Sequence, residues 1–325
     1  MTSEFNIINK YLSPLSAPEV GAFGLTDDAA VINPTNNKSL ILTKDAIVED
    51  VHFLAGTSPE NIAHRLIGSN LSDISAMGAK PTYYMIAAFL NNSVDEAWIK
   101  EFTETLAKYN QKYNISLIGG DTVKTNNSLS FSLTMFGEIE KNNELRRNGA
   151  QDGDAIFVSG TIGDAALGLK SLIGEITTTE SSKIFLENRY YIPQPRISLG
   201  NKLLGIATSA IDISDGLLAD LGHICECSNL GANIYKDKIP LSNQTNELSL
   251  KNSELFEIIA TGGDDYELLF TVRKDDESYI NQLSQELDLR LTKIGKMTTK
   301  TNKVTLFDKR NDEINFSKQG YIHKI

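Results

Sequence analysis

Aspartates recur in this sequence beside short apolar runs, usually next to a glycine or at the end of an expected strand or helix. The residues concerned are Asp27, Asp28, Asp45, Asp73, Asp121, Asp212, Asp215, Asp264 and Asp265. Any single one of them is explained by the ordinary preference of aspartate for turns and helix caps. Their repetition is harder to explain in that way, because serine, threonine and asparagine serve equally well at such positions.

Several carboxylates tolerate one another in one pocket only when positive charge lies between them. The chain contains only 4 histidines and 2 cysteines. The available ligands are therefore carboxylate and hydroxyl oxygens, which favour Mg²⁺ or Mn²⁺ over zinc. The acidic set predicts metal-assisted phosphoryl transfer, in which catalysis is mostly positioning and charge neutralisation.

The common nucleotide-binding motifs are absent from the sequence. It contains no G-x-x-x-x-G-K-[ST] segment and no protein-kinase pair of H-R-D and D-F-G. The segment GTIGDAALG, residues 160–168, has the wrong spacing for G-x-G-x-x-G, and we interpret it as a close-packed turn between a strand and a helix. The chain is therefore neither a P-loop enzyme nor a protein kinase.

The chain has 325 residues, for which two domains are the usual number. Its net charge of -11 argues against nucleic acid or an anionic membrane as a partner, but not against an anionic substrate that binds with cations. The sequence shows no apolar run long enough to span a membrane and no secretory signal. Cys225 and Cys227 are too close together for an ordinary disulfide. We therefore expect a cytoplasmic protein with reduced thiols.

Hydrophobic periodicity predicts strands that alternate with helices along the whole chain. In the first half, the expected strands are 39–42, 82–90, 115–121 and 128–139, and the expected helices are 60–79 and the segment after Asp95. The glycines of 115–121 are expected to form a turn that presents Asp121. The polar stretch 140–153 marks a domain boundary, after which SAIDISDGLLADLGHI reads as strand, acidic turn and helix. This order is typical of an α/β or α+β protein.

Seven segments of the sequence, taken in order, resemble the thiamine-monophosphate kinase family. They are TDDAAVI, LTKDAIVEDVHF, NLSDISAMGAKP, LIGGDT, VSGTIGDAALGL, DISDGLLADLGHI and GGDDYELLFT. The combination is specific, and the similarity extends from about Gly24 to the C-terminus. This family belongs to the aminoimidazole-ribonucleotide synthetase-like superfamily. It uses ATP to phosphorylate thiamine monophosphate to thiamine diphosphate, a step of thiamine diphosphate biosynthesis.

The resemblance implies a synthetase-like fold of two α/β domains. Residues 1–145 are the implied N-terminal ATP- and Mg²⁺-binding and dimerisation domain, whose strands pair with those of a second subunit to form a barrel. Residues 146–325 are the implied C-terminal α/β domain. The resemblance further implies a homodimer that holds ATP and several Mg²⁺ ions in a cleft between the domains. Transfer is expected to be direct and in line, with no protein nucleophile.

The resemblance also implies roles for individual residues. The implied Mg²⁺ ligands are Asp28, Thr43, Asp45, Asp73, Asp121, Asp212 and Asp215, and Asp73 is expected to bridge more than one ion. The implied ATP contacts are Gly120, Asp121, Arg147 and Ser214, and the implied contacts to thiamine monophosphate are His52, Asp264 and Tyr321. Without the family, His52 would be taken as an ordinary strand histidine, Arg147 as part of a solvated turn and Tyr321 as a core aromatic residue.

Four positions depart from the family pattern. Thr26 replaces a glycine, Lys44 replaces a hydroxyl-bearing metal ligand, Thr103 replaces a tyrosine near the adenine, and Asp264 is one methylene shorter than the usual glutamate. These departures bear on the number of ions and on the nucleotide pocket. The role of Asp27 is left open.

Two other functions stay open at this point. One is a different ATP-dependent synthetase of the superfamily, which phosphorylates an amide, a thiocarboxamide or a selenide. The selenide-using members carry an N-terminal cysteine or selenocysteine, whereas both cysteines here lie past residue 224. The other is a non-catalytic regulator that binds metal or nucleotide. Formation of thiamine diphosphate from ATP and thiamine monophosphate separates these alternatives.

Overall fold

The structure is a computed structural model that describes residues 4–16, 21–25, 29–300, 303–316 and 320. It divides into two compact units, which we call unit 1 (Met1–Ile74 and Ala79–Asn142) and unit 2 (Ser75–Gly78 and Asn143–Ile325). Each unit contains one β-sheet together with helices, so the predicted mixed α/β class is confirmed. Within the described ranges, none of the helices has the length and apolar character needed to cross a membrane.

Unit 1 is built on a four-stranded sheet. Its helices and strands are α1 (Glu4–Ile7), β1 (Lys38–Val48), α2 (Pro59–Ala76), β2 (Lys80–Leu90), α3 (Glu96–Tyr113), β3 (Ser116–Lys124) and β4 (Ser130–Glu140). A π-helical turn, Ile8–Leu12, and a 3-10 turn, Ser13–Leu15, follow α1. The strand order is β1-β4-β2-β3, in which β2 and β3 are parallel and the other pairs are antiparallel. The strands β1 and β3 are therefore opposite edges of the sheet.

The sheet of unit 1 has a covered face and an open face. On β4, Leu133 and Met135 are fully buried, whereas Thr134 between them is partly exposed. On the buried side, Phe131 stacks on Phe102 of α3 with ring centroids 5.2 Å apart. The predicted alternation of β4 is confirmed.

The two long helices of unit 1 begin and end close to the predicted positions. Asp95 caps α3, because its Oδ1 accepts a hydrogen bond from the Trp98 N–H at 2.8 Å. The helix ends at Asn114, whose φ of 53° is in the left-handed region that closes helices. The predicted helix 60–79 corresponds to α2.

Two predictions about strand ends are wrong in the same way. The segment 119–121 does not form a turn but lies inside β3, where it pairs with β2. Similarly, β1 continues past the predicted end at residue 42, so Asp45 lies within a strand. The strand pairing at β3 depends on Gly120, because a Cβ there would overlap the carbonyl oxygen of Ile86.

Unit 2 is built on a seven-stranded mixed sheet with the order β11-β10-β7-β9-β5-β8-β6. Its strands are β5 (Ala155–Ser159), β6 (Ala207–Asp212), β7 (Gly231–Tyr235), β8 (Leu268–Val272), β9 (Leu291–Thr298), β10 (Val304–Phe307) and β11 (Glu313–Ile314). Its helices are α4 (Asp164–Leu172), α5 (Glu180–Tyr191), α6 (Ile197–Lys202), α7 (Leu217–Ser228), α8 (Asn243–Lys251), α9 (Leu255–Thr261) and α10 (Glu277–Glu286). The predicted order of strand, acidic turn and helix is confirmed for β6 and α7.

Helices cover both faces of this second sheet. Ile156 and Val158 of β5 belong to one core cluster, which includes side chains of α4, α7 and α9. Phe157 belongs to the other cluster, with side chains of α6 and α10. Because β6 and β8 are antiparallel neighbours, the end of β6 lies beside the start of β8, as the pair Asp212 and Leu268 shows. The acidic turn after β6 and the acidic loop before β8 are therefore adjacent.

Candidate active site

The covered face of unit 1 carries three of the predicted metal ligands. Thr43 and Asp45 alternate with Lys44 along β1, which directs both of them toward α2. The Thr43 hydroxyl donates a hydrogen bond to Asp73 Oδ2 on α2. The Asp45 backbone N–H donates to Asn70 Oδ1 on the same helix at 3.3 Å. The structure thus joins the Thr43 hydroxyl to Asp73 and places Asp45 on the same strand face, where its carboxylate meets Ser69 of the same helix.

The surroundings of Asp45 favour a bound cation. Burial raises the pKa of this carboxyl group, and the opposing effects of the Ser69 hydroxyl and the His52 charge are smaller. A buried carboxylate that is costly to ionise alone becomes favourable beside a divalent cation. Because the set consists of carboxylate and hydroxyl oxygens, it fits a hard cation such as Mg²⁺.

His52 lies just beyond β1, close enough for its charge to act on Asp45. Its Nδ1 accepts a hydrogen bond from the Val48 N–H at 3.1 Å. Since Nδ1 is the acceptor, neutral His52 carries its proton on Nε2. The ring is therefore oriented as an N–H donor, which suits contact with an anionic oxygen.

Gly120 and Asp121 lie on β3, at the opposite edge of the sheet from Thr43 and Asp45. Asp121 pairs with Ala87 of β2, and Ala87 pairs on its other side with Ser132 of β4. Because Ser132 is on the open face of the sheet, Asp121 is on the open face too. Within unit 1, the structure therefore does not bring Asp121 together with the ligands of the covered face.

A mostly apolar cavity of about 280 Å³ lies beside β3 in unit 1. Gly120, Asp121, Trp98 and Thr103 are among the residues that line it. The Thr103 hydroxyl donates to the carbonyl oxygen of Ile99 at 2.9 Å. The size and the apolar lining suit a flat heteroaromatic ring, and the polar groups of β3 lie at its boundary.

The departure at Lys44 does not alter the ligands of the covered face. Lys44 is exposed on the open face, where its Nζ donates to Thr134 Oγ1 at 3.3 Å. Its neighbours Thr43 and Asp45 are on the other face of the sheet. An ammonium at this position therefore takes no ligand away from the covered-face set.

In unit 2, the acidic turn after β6 is held by a buried carboxylate that the sequence analysis missed. Asp220 Oδ2 accepts hydrogen bonds from the N–H groups of Ser214, Asp215 and Gly216 at 3.1, 3.1 and 3.0 Å. These bonds fix the turn that directly follows Asp212. The sequence did offer one signal for this role of Asp220, namely an acidic residue in the first turn of a helix, where backbone N–H groups lack helical partners and can donate to a carboxylate.

The same carboxylate belongs to a candidate metal-binding group. Asp215, Asp220 and His223 each place a ligand atom within 4.8 Å of the others, a grouping identified within the described ranges. Burial, together with the charge of Asp215, raises the pKa of Asp220 to about 7. A cation bound by Asp215 would relieve this repulsion. The predicted ligand Asp212 lies at the adjoining strand end and is buried.

A second acidic loop, residues 262–267, contacts this turn. The Asp264 N–H donates to the Ser214 carbonyl oxygen at 2.9 Å, and the Tyr266 N–H donates to the Ile213 carbonyl oxygen at 2.8 Å. The structure therefore brings together Asp264, predicted to contact thiamine monophosphate, and Ser214, predicted to contact ATP.

A buried ionic network supports the second loop, and the sequence analysis missed it too. Glu267 pairs with Arg189 Nη2 at 3.0 Å and with Arg196 Nε at 2.6 Å. Its Oε2 also accepts a hydrogen bond from Ser159 Oγ at 2.6 Å. A side chain at Gly160, whose φ is 59°, would overlap the Glu267 carboxylate. The Glu267 network therefore requires glycine at position 160.

Arg147 is exposed in a segment that runs beside β6. The carbonyl oxygen of the preceding Arg146 accepts from the Ala210 N–H at 2.9 Å, and that of Arg147 accepts from Ser228 Oγ at 3.4 Å. Arg147 therefore belongs to the unit that carries the Asp212 turn. The predictions for Asp28 and Tyr321, and the open question of Asp27, lie outside the described residues.

The stability of Asp265→Asn relative to wild type is expected to be higher at pH 8 than at pH 5. Burial raises the pKa of Asp265 well above its ordinary 3.8, and its Oδ2 accepts from the Gly163 N–H at 2.7 Å. The folded state thus holds a proton that the unfolded state releases, and wild-type stability is lost as pH rises toward the folded pKa. Asparagine is neutral at every pH and keeps one acceptor oxygen.

Urea midpoints of both proteins at pH 5, 6, 7 and 8 test this expectation. The difference between variant and wild type should grow steadily with pH. Asp152→Asn, the same change at an exposed position, should show a constant difference. A pH-independent difference for Asp265→Asn would mean that Asp265 is ionised in the folded protein across this range.

Comparison with known proteins identifies the class of protein to which this chain belongs. The chain matches the family described as AIR synthase related protein, with its N-terminal domain over residues 26–139 and its C-terminal domain over residues 151–307. The two-unit α/β fold with acidic groups on both units is that of an AIR synthase related protein.

Within this class, the chain belongs to the thiamine-monophosphate kinase family. It is 40% identical over 299 residues to thiamine-monophosphate kinase from Haemophilus influenzae, covering 91% of this chain and 90% of the relative. A crystal structure of thiamine-monophosphate kinase from Stenotrophomonas maltophilia K279a superposes with a TM-score of 0.81 at 38% identity, covering 87% of this chain and 90% of that one. The structure of AaThiL complexed with AMPPCP and TMP superposes with a TM-score of 0.77 at 29% identity, covering 98% and 97%.

Proposed function

We propose that this chain transfers the γ-phosphoryl group of ATP to thiamine monophosphate, giving thiamine diphosphate and ADP. The observation that carries the proposal is the oxygen-ligand set of Thr43, Asp45 and Asp73 in a chain of this family. The related structure that holds AMPPCP, an ATP analogue, together with TMP supports the choice of both substrates. The product makes this a step of thiamine diphosphate biosynthesis.

Direct in-line transfer accounts for the reaction without a protein nucleophile. An oxygen of the thiamine monophosphate phosphate attacks the γ-phosphorus, the new P–O bond forms, and the bond to the β,γ-bridging oxygen breaks as ADP leaves. A phosphate oxygen is already anionic at neutral pH, so the chain needs no general base. The protein's task is to hold two anions together and in line.

We assign the metal sites to the acidic residues of both units. The proposed Mg²⁺ ligands are Asp28, Thr43, Asp45, Asp73, Asp121, Asp212 and Asp215. When bound, Mg²⁺ neutralises the charge of the phosphate groups that approach each other. The raised pKa values of Asp45 and of Asp220, the buried neighbour of the ligand Asp215, support the assignment, because without a cation both sites are unfavourable for negative charge.

The substrates are assigned to separate groups of side chains. Gly120, Asp121, Arg147 and Ser214 contact ATP, and its adenine occupies the cavity that Thr103 lines. An adenine has no need of a tyrosine in this cavity, since Trp98 and Phe102 already supply aromatic surface. His52, Asp264 and Tyr321 contact thiamine monophosphate.

ATP binding is expected to change the fluorescence of Trp98, the single tryptophan of the chain. Its indole lines the cavity and stacks on Phe102 with ring centroids 5.2 Å apart. A purine entering the cavity would replace water near the indole and shift or quench its emission. The measurement is a titration with ATP, compared with ribose triphosphate, which lacks the base. A saturable calorimetric signal for ATP without any change in emission would place the adenine elsewhere.

We propose a homodimer in which the open sheet faces of two copies of unit 1 meet and their strands form a barrel. The open face exposes Leu42 (58%), Phe89 (39%), Met85 (38%) and Val123 (37%), an apolar surface that favours burial. On this proposal residues 1–145 form the dimerisation and ATP- and Mg²⁺-binding domain, residues 146–325 form the second α/β domain, and the protein acts in the cytoplasm.

The proposed function is tested by incubating the purified chain with ATP, thiamine monophosphate and Mg²⁺. Thiamine diphosphate and ADP should appear in a 1:1 ratio, and a chelator should abolish both. ADP without thiamine diphosphate would instead indicate another ATP-dependent synthetase. ATP binding without turnover would indicate a regulator.

A further inference from the structure

The loop 262–267 alternates between buried and partly exposed acidic or aromatic side chains. Asp265 and Glu267 are 1% and 0% exposed, whereas Asp264 and Tyr266 are half-buried. The loop thus has an inner pair that anchors it and an outer pair that is accessible to a ligand.

The inner pair is fixed to the start of α4 and to the strand before it. The side-chain oxygens of Asp265 accept hydrogen bonds from the N–H groups of Gly163 and Ala165 at 2.7 and 3.3 Å. Glu267 accepts from Ser159 Oγ at 2.6 Å, and Ser159 Oγ in turn accepts from the Leu268 N–H at 2.8 Å. These buried contacts leave the backbone of the loop little freedom.

The outer pair has an unusual backbone conformation. Asp264 and Tyr266 have φ values of 70° and 51°, in the left-handed region of backbone conformation that residues other than glycine rarely adopt. A bulky residue in this region persists only where the surroundings determine it, and such positions cluster at functional sites. One result of the conformation is that the Tyr266 hydroxyl reaches Asp264 Oδ1 at 3.1 Å.

We propose that Tyr266 is a positioning residue for thiamine monophosphate, which holds the Asp264 carboxylate in the orientation that the substrate's aminopyrimidine requires. This inference rests on the proposed function and on the contact between Asp264 and the substrate. A phenol that donates to Oδ1 restricts rotation of the carboxylate plane. A ligand with an amino group can then donate to a carboxylate that is already oriented, so less conformational entropy is lost on binding.

The test compares Tyr266→Phe with wild type and with Asp264→Ala. Phenylalanine keeps the ring and removes only the hydroxyl. We expect the KM for thiamine monophosphate to rise roughly 10-fold, with kcat, the KM for ATP and the Tm unchanged. In the Asp264→Ala background, the same change should have no further effect, because the residue on which the hydroxyl acts is gone. Tyr279→Phe, at an exposed tyrosine of the same unit, is the matched control and should behave as wild type.

The outcomes separate this inference from the proposed function. An active wild type whose KM is unchanged in Tyr266→Phe overturns the role of Tyr266 alone. Equal fold-changes in KM with and without Asp264 show that the hydroxyl acts independently of that carboxylate, which also overturns the inference. A wild type that makes no thiamine diphosphate overturns the proposed function and the inference together. A calorimetric Kd for thiamine monophosphate should follow the KM in wild type and in all four variants.

Discussion

Asp73→Asn is expected to lower kcat by about 100- to 1,000-fold at saturating Mg²⁺, the usual cost of losing one group that stabilises transition-state charge. Asp73 accepts a hydrogen bond from the Thr43 hydroxyl and lies on the helix that faces Asp45. Asparagine has the same size, and its carbonyl oxygen can still accept from Thr43. The substitution therefore removes negative charge while it keeps the packing of α2 against β1.

The measurement is the rate of thiamine diphosphate formation as a function of Mg²⁺ concentration. The variant should need more Mg²⁺ for half-maximal rate and should not recover the wild-type kcat at saturation. Its Tm without Mg²⁺ should equal or exceed that of wild type, because one negative charge of the acidic set is gone. Asp152→Asn, an exposed aspartate in a turn, should leave both parameters unchanged. A kcat within threefold of wild type would rule out a bridging role for Asp73.

Much of the fold was predictable because it depends on local patterns. The apolar stripe of α3 together with Asp95 predicts a capped helix, and the alternation along β4 predicts a sheet with one covered face. The acidic turn between β6 and α7 is read from the sequence in the same way. These features need only the residues of one segment, so one sequence is enough to find them.

The strand positions of Asp45 and Asp121 were not predictable by the same reasoning. Charged residues usually end a strand pattern, so the apolar run 39–42 was expected to stop before Lys44. In the structure the strand continues, because polar side chains of α2 such as Asn70 face it across the covered side. Where polar residues of a strand pack against polar residues of a helix, neither segment shows the hydrophobic periodicity from which its buried face could be predicted.

The support beneath the second acidic loop was invisible for a related reason. Glu267 is joined to Arg189 and Arg196 across 78 and 71 residues and to Ser159 across 108 residues. No local spacing relates residues so far apart. The one available hint was a glutamate in the apolar context YELLF, where a charge is uncommon without a buried partner.

Glu267→Ala is expected to lower the free energy of unfolding of unit 2 by about 3–5 kcal/mol, the usual cost of removing one partner from a buried ion pair. The side chain of Glu267 is fully buried, and those of Arg189 and Arg196 are only 8% and 17% exposed. Without the carboxylate, two guanidinium groups remain buried, and Arg189 is left with the longer ion pair to Asp164, whose Oδ2 lies 3.8 Å from its Nε. The burial of Arg189, whose Nε already has no hydrogen-bond partner among the described residues, makes this cost large.

Urea-induced unfolding followed by circular dichroism measures the effect, with Glu286→Ala as the matched control. Glu286 pairs with Lys202 on the surface, where its side chain is 53% exposed, and its loss should change stability by less than about 1 kcal/mol. Glu267→Gln should fall between wild type and alanine, because it keeps hydrogen-bond acceptance and loses charge. If Glu267→Ala matches the surface control, water must enter to solvate the arginines, and the loop that carries Asp264 is not held by this network. If the loss is large, the loop is held by buried charge, and mild substitutions here should also raise the KM for thiamine monophosphate.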